Sequence, residues 1–210
     1  MIAYRLSHEN LKDVFSVWNV SGRETHMWWK ISQRLAKRRI PVTMCKLLGQ
    51  GSQGKAFQIN DTTVMKITDD EKEPHASYVV KKHPSTYFPR IRDVFAVKRE
   101  KGKAPLYFII QEKLDPCDEK WGDFVSGMSG NHIKPHIVRR MREHRSDNNG
   151  NISRENEKKF KWLNGVAMYF EKHRITYFDL HAGNLMQKNG KHKVIDLGYT
   201  KVKRQKFDRL

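Results

Sequence analysis

Only two cysteines, Cys45 and Cys117, occur among the 210 residues. They are too few for a disulfide framework and show no metal-ligand spacing, so they read as reduced thiols and redox chemistry is set aside. No apolar run approaches the roughly 20 residues that cross a bilayer, and the opening MIAYRLSHEN lacks the charged-then-apolar order of a secretory signal. The expected location is the cytosol, with no membrane partner. Internal repeats and long low-complexity tracts are also missing. At this length that leaves one domain, or one bilobal domain with a single cleft. Acid is the remaining shortage: 23 Asp+Glu face 41 Lys+Arg, a formal charge of +18. Such a charge attracts phosphates, whether on nucleic acid, nucleotides or acidic protein surfaces. The basic residues are spread over 34–39, 97–103, 136–145 and 201–209. That spread favours solvated faces over a dedicated nucleic-acid surface.

What is present suffices for a core. Hydrophobic residues make up 38%, with 5 Trp, 10 Phe and 7 Tyr, so the chain should fold. Over 7–40, NLKDVFSVW and THMWWKISQRLAKRR carry apolar residues at helical spacing on either side of a break at Asn19, Ser21 and Gly22. From Pro41 the texture changes. VTMCKLLG, KAFQIN and TVMKIT are short, rich in β-formers and separated by Gly or Asn-Asp, the pattern of an antiparallel three-stranded meander. A helix is expected over about 70–82, then strands at 91–98 and 105–114 across a loop containing Gly102, which makes five strands. After Pro116 the pattern turns helical around KWGDFVSGM and IKPHIVRRMREHR, with SDNNGNIS as a loop. A further helix over about 153–173 places Phe160, Leu163, Val166, Ala167 and Phe170 on one face. NLMQK and KHKVID then read as short strands around Asn189-Gly190, a two-residue hairpin turn.

Chemistry-bearing residues recur in order along this frame. LGQGSQGKAF holds Gly49, Gly51 and Gly54 in a G-x-G-x-x-G pattern. A dinucleotide fold would need a helix next, whereas a strand follows. The context favours a glycine-rich hairpin whose backbone, without Cβ atoms, can close over nucleotide phosphates. Twelve residues past Gly54, Lys66 stands between apolar neighbours in VMKIT. A lysine there is costly to bury without an anion, which points to a pocket cation, although a solvent-facing lysine would look the same. Late in the chain, YFDLHAGNLM sets Asp179 five residues before Asn184, and VIDLGYT carries Asp196.

Taken together, these motifs resemble those of the protein kinase-like superfamily: the phosphate-covering loop, the V-A-I-K strand in VMK, the catalytic loop in DLHAGN, and Asp-Phe-Gly in Asp196-Leu197-Gly198. The resemblance covers about 42–198. It implies an α+β, bilobal kinase-like fold, with an N-terminal helical extension (1–40), a five-stranded antiparallel N-lobe sheet (41–112) and a shortened helical C-lobe (113–210). It also implies ATP and Mg²⁺. Lys66 would bind the α- and β-phosphates, Asp179 would accept or orient the acceptor hydroxyl proton, and Asn184 with Asp196 would hold Mg²⁺. A glutamate should pair with Lys66 from the start of the 70–82 helix, with Glu73 first and Glu71 second. Asp70 and Glu73 also read as a capping pair, with Pro74 in the first turn. Gln111 would lie beside adenine, with the backbones of Glu112 and Leu114 bonding to it.

Departures narrow the expectation. Tyr177-Phe178 replace the usual His-Arg, and His181 stands where protein kinases commonly have lysine, as in aminoglycoside and choline kinases and several atypical kinases. Only twelve residues follow Gly198, with no room for an activation segment and peptide platform. The chain is most similar to the compact serine/threonine kinases of tailed bacteriophages, which would place it in a host cytoplasm. The expected function is ATP- and Mg²⁺-dependent phosphorylation of Ser or Thr, on host proteins or on itself. The alternatives are a nucleotide-binding pseudokinase gripping nucleic acid or an acidic partner, and a small-molecule kinase.

Overall fold

The computed structural model describes residues 25–51, 54–99, 102–125, 139, 141–143, 150–177, 179–198 and 200–210. The expected helix at 10–18, most of IKPHIVRRMREHR and the first half of the SDNNGNIS loop lie outside them. The described chain is mixed α+β around a five-stranded antiparallel sheet.

Helix α1 (Thr25–Lys37) buries Ile31 and Leu35, four residues apart, and leaves Trp29 exposed. The meander follows as β1 (Lys46–Gln50), β2 (Gly54–Asn60) and β3 (Thr63–Thr68). β1 begins later than its β-formers suggest, because Thr43 and Met44 bond only to the Ile59 carbonyl. Helix α2 (Lys72–Lys82) tolerates Pro74 in its first turn, where no intrahelical bond needs the missing N–H. Asp70 and Glu73 do not form the capping box that their spacing allowed: Asp70 Oδ1 accepts from Lys72 N–H, while Glu73 turns to Lys66.

Strands β4 (Ile91–Val97) and β5 (Leu106–Glu112) complete the sheet in the order β1-β2-β3-β5-β4. Alternation along each strand loads both faces. Phe57, Ile59, Met65, Ile67, Phe95, Phe108 and Ile110 pack with Ile31, Leu35 and Ile40 of the α1 region. Val94 and Ile109 point the other way, into a cluster shared with α2 and the rest of the chain.

That second cluster is built by α3 (Glu119–Val125) and α4 (Arg154–Lys172) after the short strand β6 (Asp115–Pro116). Ser153 caps α4, its hydroxyl accepting from Asn156 N–H at 3.2 Å, and Phe160, Leu163, Val166, Ala167 and Phe170 form the buried stripe that the periodicity predicts. A Cβ at Gly165 would overlap the Tyr87 hydroxyl, so an alanine here would require the Tyr87 ring to shift. β7 (Thr176–Tyr177) leads through a 3₁₀ turn (Ala182–Asn184) into β8 (Leu185–Lys188) and β9 (Lys191–Val194). Asn189 and Gly190, both at positive φ, make their tight turn. β10 (Thr200–Lys201) pairs with β7, and the chain then returns along α2 to the edge of β4. No helix among the described residues is long and apolar enough to cross a membrane.

Candidate active site

Between the sheet and the β7–β9 region opens a cavity of about 580 Å³. Eleven of the residues singled out in the sequence line it: Gly49, Gly51, Gly54, Lys66, Glu73, Gln111, Glu112, Leu114, Asp179, Asn184 and Asp196. Segments more than a hundred residues apart thus share one hollow. The glycines sit on its rim where β1 turns into β2, with Gly51 N–H donating to the Gly54 carbonyl at 2.9 Å. At Gly54 a Cβ would come 2.8 Å from the Ile67 carbonyl oxygen, so glycine here is a packing requirement of the β2–β3 pairing.

Lys66 is held on the sheet because β3 is buried on both faces. Its Nζ lies 2.8 Å from Glu73 Oε1 and 3.1 Å from Asp196 Oδ2. Of the two glutamates proposed for this pairing, Glu73 is the one that reaches it; Glu71 faces outward to Arg204 at 3.1 Å. Burial disfavours the Lys66 charge, but Glu73 and Asp196 outweigh it and keep the ammonium protonated above its ordinary range. Glu73 behaves oppositely. Burial, reinforced by Asp196 and Asp70, outweighs Lys66 and pushes its carboxyl up to about 7. Two carboxylates share one ammonium, which leaves the cleft floor short of positive charge.

The segment that carries Asp179 and Asn184 is fixed by Tyr177, a residue to which the sequence alone assigned no role. The buried Tyr177 hydroxyl lies 2.9 Å from the Asp179 carbonyl and 3.1 Å from that of Asp196, and accepts from Asn184 Nδ2 at 3.3 Å. Asn184 Nδ2 also donates to the Asp179 carbonyl at 2.9 Å and to its Oδ2 at 3.2 Å. The amide nitrogen is therefore committed inward, and Oδ1 has no partner among the described residues. Burial raises the Tyr177 hydroxyl pKa well above its usual value, so it stays neutral and able to donate. The readable signal was a tyrosine two residues before Asp179 in an apolar strand, where a phenol needs a partner.

Asp196 adopts φ +54, a conformation uncommon for a residue with a side chain. Gly198 N–H supports it by donating to Oδ1 at 3.3 Å, and Oδ2 turns to Lys66. His181 Nε2 stands 3.6 Å from Asp179 Oδ2, while its Nδ1 accepts from Gly183 N–H at 3.0 Å. At the far end, Glu112 N–H is taken by the Arg90 carbonyl at 3.0 Å. Only the carbonyl of that residue is left as a backbone group for a ligand. The Glu112 side chain is drawn away to Lys193 at 3.0 Å.

Among the side chains that line the cleft, the Asp196 carboxylate and the Asn184 amide oxygen are the hard kind of ligand that suits Mg²⁺. A separate set lies outside the cavity, where ligand atoms of Cys117, Asp118 and His192 fall within 4.8 Å of one another. Sequence spacing does not bring these three together; the pairing of β6 with β8 and of β8 with β9 does. Burial and the neighbouring Asp118 push the Cys117 thiol up to about 11, which opposes the thiolate a metal needs. No protein-family model matches the chain, and no curated protein matches it.

Proposed function

We propose that the protein is a minimal, kinase-like phosphotransferase that uses ATP and Mg²⁺ to phosphorylate Ser or Thr of proteins. In this reading 41–112 and 113–210 act as two lobes closing on a nucleotide. The observation that carries it is Lys66, paired with Glu73 and Asp196 in the same cavity as Asp179, Asn184 and the glycine rim.

Each residue has a distinct task. Ala56, Val64, Met186 and Ile195 give the cavity apolar walls that suit a purine. Lys66, oriented by Glu73, places its ammonium against phosphate oxygens. Asp196 and Asn184 Oδ1 would hold magnesium, which when bound neutralises phosphate charge and orients the transferred group. Asp179, kept beside Asn184 by the 3.2 Å bond and by Tyr177, presents a carboxylate oxygen to the acceptor hydroxyl and takes its proton. His181, close to that carboxylate, tunes the acceptor side and favours a second reading, transfer to a small-molecule hydroxyl.

Incubation with γ-labelled ATP and Mg²⁺ tests both. Label should enter protein Ser or Thr and fall at least about 100-fold in Asp179→Asn and Lys66→Ala. Label appearing in a metabolite alone selects the second reading. Nucleotide binding without turnover, or labelling unchanged in both variants, overturns the proposal.

A further inference from the structure

The segment after β10 is anchored at both ends. β4 is an edge strand, and an edge offers unpaired backbone groups. Residues 208–210 occupy them: Ala96 N–H donates to the Asp208 carbonyl at 3.0 Å, Leu210 N–H to the Ala96 carbonyl at 2.8 Å, and Lys98 N–H to the Leu210 carbonyl at 3.2 Å. The result is a short parallel ladder around Ala96 and Arg209. Asp208 also takes Arg34 Nη1 at 2.5 Å, which ties the segment to α1.

Before that anchor the segment crosses α2. Gln205 N–H donates to His75 Nδ1 at 2.9 Å, Arg204 pairs with Glu71 at 3.1 Å, and the Phe207 ring centroid lies 5.0 Å from that of His75, 5.9 Å from Tyr78 and 6.0 Å from Tyr107. Glu71, His75 and Tyr78 follow one another at four- and three-residue steps, so the contacts form one stripe on the helix. Ala76, Val79 and Val80 point into the core instead. The helix that carries Glu73 is thus gripped on two sides, by the core and by the returning chain.

We infer that residues 203–210 form a positioning element: through His75 and Phe207 they hold α2 where Glu73 reaches Lys66. The catalytic consequence rests on the phosphotransferase reading, whereas the mechanical coupling rests on the packing alone. Glu73 needs such support because it is buried and shares Lys66 with Asp196, so its place is set by the helix more than by its ion pair. Neither Phe207 nor His75 lines the cavity, so their effect on it would run through α2 and Glu73.

Hydrogen exchange on the full chain separates the two layers. In Phe207→Ala and in His75→Ala, amides of 72–80 should exchange about tenfold faster, with 63–68 in β3 unchanged and Phe207→Leu close to wild type. The Km for ATP should rise in both variants, and Phe207→Ala combined with Glu73→Gln should match Glu73→Gln alone. Exchange over 72–80 that stays at the wild-type rate in both variants overturns the inference. So does loosening spread equally over β3, β4 and α2. If the wild-type chain turns over no ATP, the functional reading falls while the exchange comparison still decides the coupling.

Discussion

Two buried carboxylates on neighbouring elements, Asp93 on β4 and Glu73 on α2, face opposite electrostatic situations. Asp93 is fully buried and meets three cations: Arg34 at 2.6 Å, Lys81 at 2.7 Å and Arg38 at 3.4 Å. Burial would raise its pKa, but Arg34 and Lys81 outweigh that and hold it below the usual carboxylate range. Glu73 has one cation, which it shares with Asp196, and its carboxyl rises to about 7. The first arrangement is saturated and joins α1, the sheet and α2. The second is unbalanced in favour of negative charge. Under the phosphotransferase proposal this imbalance has a use, because the missing positive charge is what an incoming cation would supply.

The contrast can be broken at either end. The largest effect is expected for Asp93→Ala, which strands the buried end of Arg34 and the Lys81 ammonium without their anion; urea unfolding should show a loss of about 3–5 kcal/mol. Next comes the pH dependence of stability. A carboxyl raised from about 4.5 to about 7 binds its proton more tightly in the folded state. Glu73 therefore contributes a decline in stability as pH rises through that window, of a few kcal/mol by linkage. In Glu73→Gln the decline should flatten. The Asp93 contribution has the opposite sign: it is present above the ordinary carboxylate pKa of 3.8 and is lost as pH falls below it. Unfolding curves from pH 3 to 8 for the two variants would show whether the windows separate; flattening in the same range would break the comparison.

Tyr177→Phe should cost about 1–3 kcal/mol in chemical denaturation, because Asp179 and Asp196 carbonyls and Asn184 lose a shared partner. Under the proposed reading it should also lower phosphotransfer while leaving Lys66 and Glu73 paired. Arg38→Ala is the smallest change. Arg38 is half exposed and the longest of the three contacts to Asp93, so a loss below about 1 kcal/mol is expected. A larger loss would mean that Arg38 carries part of what the geometry gives to Arg34 and Lys81.

The same contrast marks what could be read in the chain and what could not. The cleft groups were legible because each lies in a short motif whose spacing is set locally: three glycines in a turn, Lys66 in an apolar strand, Asp179 five residues before Asn184. The choice between Glu73 and Glu71 was not, since both stand at the start of one helix and only its packing turns one toward Lys66. Asp93 and the returning 203–210 segment were invisible, because their partners lie far off in sequence. One signal for the sheet order was present. IRDVFAV carries Arg92 and Asp93 inside a β pattern, as edge strands do, whereas LYFIIQE carries five consecutive apolar residues, as a central strand does. The sheet places β5 inside and β4 at the edge accordingly.

Calorimetric titration of a non-hydrolysable ATP analogue, with and without Mg²⁺, bears most directly on the unbalanced cleft. Binding should strengthen about tenfold or more with Mg²⁺ in the wild-type chain, lose that dependence in Asp196→Asn, and fall in Lys66→Ala. Affinity indifferent to Mg²⁺, or equal in all three proteins, would contradict the assignment of this cavity to a magnesium-bound triphosphate.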